Sequence, residues 1–259
     1  MSEVVEKIIA ETLESGIKPI NRKFRGVYDG YGERPIAYLT ETEVFTTASG
    51  LLNGYESAIE NAKIGIKWSI GNVKGAFRAL GVLEAADNHP TFLTASVTKS
   101  FLKANVHELL AEFEEIDAAK KERIVLTFAE SATEDERALK GISEARGAGF
   151  KTAIKDFGGN RSLSALNAAP TDYVFFSPEM TALAGDRNKP GVFNAFASLL
   201  RSLRTEIILT GVKNDETIRE SIATECFGIM PAENYRGEFD FPQGARDLES
   251  IKSDGEAIL

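Results

Sequence analysis

The chain has 259 residues and a mass of 28.2 kDa, with 30 Lys+Arg against 39 Asp+Glu, a formal net charge of −9 and a sequence pI near 5.0. Hydrophobic residues make up 43% and charged residues 27%, an ordinary globular composition, and the acidic balance argues against a general phosphate-backbone binder, which carries a basic face. The single cysteine, Cys226, excludes an internal disulfide, and no apolar run approaches the ~20 residues that span a bilayer.

The opening MSEVVEKIIAETLESG is acidic and amphipathic, unlike the basic-then-apolar pattern of a signal peptide. A cytoplasmic chain is therefore expected, with no membrane and no nucleic acid polymer among its partners. The length suits a (β/α)8 barrel of about 250 residues better than a single domain of ~100–150. No Pro/Ser-rich linker or short repeat divides the chain, so residues 1–242 are read as one domain and 243–259 as a polar tail, loose or weakly helical.

In chain order, residues 3–15 read as a helix with Val4, Val5, Ile8, Ile9 and Leu13 on one face. Extended segments at 17–28 and 34–45 flank the turn Asp29-Gly30-Tyr31-Gly32 and suit an antiparallel hairpin. A long helical region interrupted by glycines covers about 51–86. From residue 90 the pattern is regular. A strand at 91–97 precedes a helix at 105–119, which carries Leu109, Leu110, Phe113 and Ile116 on one face. A strand at 123–128 follows. Thr133-Glu134-Asp135-Glu136 reads as a capping box that opens a helix to about 146. A strand at 150–155, Gly158-Gly159-Asn160 with a short helix, and a strand at 172–176 come next. Ser177-Pro178-Glu179 sets a cap residue before a proline suited to the first helical position. A helix at 191–204, a strand at 206–210, a helix at 214–224 and a strand at 226–230 complete the series. Eight strands result. The later ones are short and continuously apolar, as strands covered on both faces are, and strand–helix alternation implies a parallel sheet. A closed α/β barrel with an antiparallel first strand is favoured over an open doubly wound sheet.

In such a barrel function gathers at the C-terminal strand ends. These carry Thr40 to Glu43, Ser96, Thr127 to Glu130, Lys155-Asp156, Ser177, Thr210 and Met230. Hard cations need several converging oxygen ligands. Only Glu130, Asp156 and one of Glu41 or Glu43 are available, and an inward Lys155 would repel a metal.

The strings RIVLTFAESATED, GAGFKTAIKDFGGNRSLSAL, PTDYVFFS and EIILTGVKNDETI resemble the successive strand–loop motifs of the EAL domain, over about residues 17–230. The resemblance implies a TIM-like (β/α)8 barrel with an antiparallel first strand, and, in active members, hydrolysis of cyclic di-GMP with two divalent metals. Position by position it implies losses. The namesake glutamate falls on Thr40 or, with a one-residue slip, on Glu41. The asparagine ligand falls near Ser96. The first glutamate of Glu-x-Thr-Glu becomes Thr127, and the second survives as Glu130. The paired aspartates become Lys155-Asp156, the water-orienting lysine Phe175, the aspartate after it Ser177, and the catalytic-loop glutamate Thr210. The last-strand glutamine lands near Met230. Vestigial catalytic candidates are thus Glu130, Asp156 and Glu41. Removing one group that stabilises a transition state costs about a hundredfold or more in rate. The resemblance therefore implies a catalytically inactive module, regulatory or protein-binding, with no cofactor (Mg or Mn if it were active) and a protein partner or homodimer. The alternatives are a divergent cyclic di-GMP phosphodiesterase and a receptor that binds cyclic di-GMP without cleaving it.

Plainer readings stand beside several features. Lys155 and Arg161 are candidate ligand contacts. A structural ion pair or loop hydrogen bond is the bland account of Lys155-Asp156, and an exposed arginine on a tight turn that of Arg161. A Schiff base on Lys155 lacks an acid–base partner. Glu130 alone suits a hydrogen-bond anchor for its loop. His89 and His107 have no ligand pattern around them. Cys226, Trp68 and Phe77 read as core residues. Gly71-x-x-x-Gly75 lies among Lys67, Lys74 and Arg78 and is no membrane dimer face.

Overall fold

The computed structural model describes residues 7, 9, 20–31, 34–46, 50–51, 59–60, 62–158, 169–186, 189, 191–239, 241, 244 and 246–251. Most of the predicted helix at 3–15 lies outside them, although Lys7 and Ile9 are helical and Ile9 is fully buried.

The predicted hairpin forms. Strand β1 (Ile20–Val27) pairs antiparallel with β2 (Ala37–Thr46), in register from Ile20 opposite Val44 to Val27 opposite Ala37. A two-residue strand β3 (Gly50–Leu51) extends the far end of β2. The remaining strands are parallel: β4 (Leu93–Ser96), β5 (Ile124–Ala129), β6 (Lys151–Phe157), β7 (Tyr173–Phe176), β8 (Glu206–Val212) and β9 (Gly228–Pro231). The sheet runs β1-β2-β4-β5-β6-β7-β8-β9 and returns on itself. Tyr28 N–H donates to Ile229 O at 2.9 Å and Ile229 N–H to Tyr28 O at 2.7 Å, joining the last strand to the first. This is the expected eight-stranded barrel with its first strand reversed.

Successive side chains in a strand point to opposite faces, and the apolar core divides accordingly into two clusters. Val125, Ala153, Phe175 and Ile208 fill the barrel interior, while their neighbours Leu126, Ile154, Val174 and Leu209 pack outward under the helices. At the end where the parallel strands begin, Phe92, Tyr173 and Phe227 close the interior as an aromatic plug, with ring centroids 4.7–5.5 Å apart. The opposite end, where those strands finish, is the mouth.

Helix α1 (Ala62–Ala85) packs along β4 through Val73, Ala76, Leu80 and Leu83, spaced three and four residues apart. Its glycines do not interrupt it, contrary to the expectation from sequence. Gly75 leaves room for a side chain from β1: a Cβ there would lie 2.4 Å from Arg22 Nε, and the Arg22 guanidinium donates to Gly71 O at 2.8 Å. The Gly71-x-x-x-Gly75 pair is a seat for Arg22.

Two further expectations need correction. The helix expected at 105–119 is broken into Val106–Leu110, a 3-10 turn at Ala111–Phe113, and Ala118–Glu122. Asp117 has extended backbone, and its carboxylate caps the new start by accepting Ala119 N–H at 2.8 Å. The expected capping box also shifts. Thr133 is buried and its hydroxyl donates to Glu130 O at 2.7 Å, closing a 3-10 turn; the cap of helix α2 (Glu136–Gly147) is Asp135, which accepts Arg137 and Ala138 N–H. Ser177 caps the turn after β7 as expected, and Asn214 caps a helix at Asp215–Ala223. In the tail, Arg246 pairs with Phe24, and Ile251 is fully buried.

Candidate functional site

The strand register sorts the mouth residues. On β2, Leu39 belongs to the interior cluster, while Thr42 turns to α1, its hydroxyl 3.4 Å from Asn72 Oδ1. Glu41 and Glu43 share the inward face with Leu39, and Thr40 lies buried on the helix side. Of the two positions the sequence left open, the one facing the mouth is therefore Glu41.

Glu41 does not face the mouth alone. Arg25 on β1 lies opposite Leu39, on the same inward face as Val27. Its Nε is 3.0 Å from Glu41 Oε1, an ionic contact without the alignment of a hydrogen bond, and its Nη2 is 3.6 Å from Glu233 Oε1. Sequence reasoning missed both Arg25 and Glu233. The hairpin turn at Asp29-Gly30 held a signal for Arg25, because it fixes which β1 residues lie diagonal to Glu41.

The neighbouring strand ends are uncharged. Ser96 Oγ and Thr127 Oγ1 share a hydrogen bond of 3.2 Å across β4 and β5. Phe175 and Met230 are buried in the interior cluster. Thr210 donates to Phe176 O at 2.6 Å, and Ser177 accepts Met180 N–H at 3.3 Å, so both hydroxyls serve the backbone.

On β6, Lys155 shares the inward parity of Ala153 and is half-buried. The β6–β7 register then slips: Ile154 faces Val174 but Phe157 faces Phe176, so two residues, Lys155 and Asp156, oppose one. This is a β-bulge, and Asp156 takes its left-handed conformation at φ +54°. The bulge returns Phe157 to the outer core and leaves Asp156 exposed. Neither Lys155 nor Asp156 makes an ion pair or hydrogen bond through its side chain among the described residues, so the ion pair that was their bland account is absent there. Glu130 is buried and its Oε2 accepts Gly158 N–H at 3.3 Å, tying the end of β5 to that of β6. Arg161 lies outside the described residues.

On the rim, Glu179 is held below the usual carboxylate range by its own backbone N–H and by the Ser177 hydroxyl. A cavity of about 330 Å³ adjoins the mouth, between the start of α1 and the ends of β4 and β5.

This donor set does not fit a pair of divalent cations. Glu41 is engaged by a guanidinium, Glu130 by a backbone amide, and Asp156 points to solvent, which leaves Glu43 alone among the described inward carboxylates, while Lys155 brings a positive charge inward. Among the described residues no three His, Cys, Asp or Glu side chains gather as metal ligands. No described helix is long and apolar enough to cross a membrane.

The EAL domain family matches residues 47–230, more than half of the chain, and the protein belongs to that family. The match begins just past β2, so the strand that would carry the namesake glutamate lies outside it. Among solved structures, the fold is similar to the EAL enzyme Bd1971 in its cAMP- and cyclic-di-GMP-bound form, with 14% identity and a TM-score of 0.78 over 97% of this chain and 68% of that one. It is also similar to an EAL domain protein from Listeria monocytogenes EGD-e (15%, TM-score 0.75, 100% and 98% covered). A third is the FimX EAL domain of Xanthomonas citri in complex with c-diGMP (14%, TM-score 0.71, 89% and 91% covered). No curated protein matches the sequence significantly.

Proposed function

We propose that this EAL-family barrel works as a regulatory binding module in cyclic di-GMP signalling and does not hydrolyse the dinucleotide. The observation that carries this reading is the inward Arg25–Glu41 ion pair at the mouth, with Lys155 on the same inner wall. Two divalent ions there would meet fixed positive charge where they need neutralisation. A like-charge pair at 4 Å costs about 4 kcal/mol at an effective dielectric of ~20. Without the metals, nothing lowers the pKa of the attacking water or stabilises the leaving oxygen.

The second reading is a receptor that binds cyclic di-GMP uncleaved. It is favoured by the likeness to Bd1971 and to the Xanthomonas citri FimX domain, both of which are bound to that dinucleotide in their structures.

Calorimetry with cyclic di-GMP, with and without Mg²⁺ or Mn²⁺ and followed by chromatography of the products, separates the cases. The expected result is no linear dinucleotide under any condition. Micromolar heat without turnover assigns the receptor role. Turnover that disappears in Glu41→Gln or Asp156→Ala overturns the proposal.

A further inference from the structure

The cavity beside the mouth borders the ring of inward residues at Ser96 and Ala129 and extends outward from it to Trp68 and Lys99. Its walls are mainly apolar, formed by Ile59, Trp68, Val97 and Ala132. Its volume of about 330 Å³ lies within the range of small-molecule sites, and it opens at the strand ends, where barrels place their ligands. A second cleft of about 440 Å³ shares Lys99 and Glu60 with it.

Lys99 is the cation of this cleft. It is half-buried, and its Nζ donates to Ser131 O at 3.2 Å, which holds the ammonium against the wall. Its ammonium makes no other hydrogen bond or ion pair among the described residues, so two of its three N–H donors remain for a ligand. Two of the nearby hydroxyls are committed to the protein, Ser96 to Thr127 and Thr98 to capping Phe101 N–H, and the Ser131 hydroxyl lies beside Lys99 as a further donor. Glu60 is exposed at the outer edge. An apolar slot with one anchored ammonium fits a flat aromatic molecule bearing one acidic group.

We infer that the cleft between α1 and the ends of β4 and β5 binds an aryl anion, its ring against Trp68 and its acidic group on Lys99. The site takes none of Arg25, Glu41 and Lys155, the charged mouth residues that carry the proposed function, so its failure leaves that reading untouched.

Trp68 is the only tryptophan of the chain, so its emission reports on this cleft alone. Titration of the whole chain with 1-naphthyl phosphate is expected to quench that emission saturably. Lys99→Met should weaken the apparent affinity about tenfold, the loss of one charge-assisted hydrogen bond. Glu60→Gln, which removes a like charge from the edge, should tighten it. Unchanged circular dichroism and melting show that the variants fold. Quenching that never saturates, or saturable binding that Lys99→Met leaves intact, overturns the site.

Discussion

Asp156 shows how one backbone angle can decide what a side chain does. Its φ of +54° places a non-glycine residue in the left-handed region, which costs about 1–2 kcal/mol for most side chains and less for Asp. The bulge built on it swings the carboxylate to solvent. Asp156→Gly should therefore leave stability equal or higher, and Asp156→Val should lower it by about 1–2 kcal/mol in urea denaturation. Equal losses from both would argue for a role of the carboxylate itself. Tyr235 offers a test by pH. Its hydroxyl donates to Asp215, and burial together with that bond pushes the phenol up to about 12. The folded value exceeds the unfolded one of ~10, so this stabilisation is whole below about pH 10 and is lost as pH rises toward 12. Tyr173, raised to about 12 chiefly by burial, acts in the same window. Melting of Tyr235→Phe should consequently fall less steeply across that window than that of the parent, and identical slopes would contradict the assignment. That Thr127, Lys155, Ser177 and Thr210 bring no carboxylate to the strand ends is legible from residue identity. The pairing of Glu41 with Arg25 is only hinted at by the hairpin turn, because the register that brings the two strands together is fixed by packing.

At the scale of elements, glycines separate propensity from packing. A methyl group on Gly81, in the exposed interior of α1, would meet nothing within 4 Å, whereas a Cβ on Gly141 in α2 would lie 1.9 Å from Leu102 O. Gly81→Ala should stabilise by about 0.5–1 kcal/mol through helix propensity alone. Gly141→Ala gains the same propensity but drives a methyl into backbone that cannot yield, and should destabilise by about 1–3 kcal/mol or more. Thermal denaturation of the two variants checks the contrast, and the same sign for both would refute it. The strands are legible in the sequence because their apolar runs are short and bounded. The break in the helix at 105–119 is not, because Leu109, Phe113 and Ile116 all face the core on either side of a bend, so periodicity survives where the hydrogen-bond ladder does not. Thr133 has the right residue type for a cap, and only its burial against Glu130 O, a tertiary fact, takes it out of that role.

At the scale of the whole molecule, the barrel keeps an apolar inner cluster and an aromatic plug at the far end, and its mouth carries an internal cation. A mouth whose inward Glu41 is already met by Arg25 should not depend on metal. Millimolar Mn²⁺ or EDTA should leave the melting temperature unchanged, whereas ions bound at about a hundredfold over their Kd would add about 2.7 kcal/mol. A clear rise with Mn²⁺ would contradict the reading of the mouth.

The order of strands and helices, the reversed first strand and the scarcity of carboxylates at the strand ends all follow from the chain itself, since apolar periodicity and residue identity are local properties. Three things waited for the folded molecule: that Glu41 and not Thr40 looks inward, that Arg25 meets it there, and that a bulge expels Asp156 while Lys155 stays on the inner wall. Each depends on the register between strands, and register is set by how separate segments pack against one another.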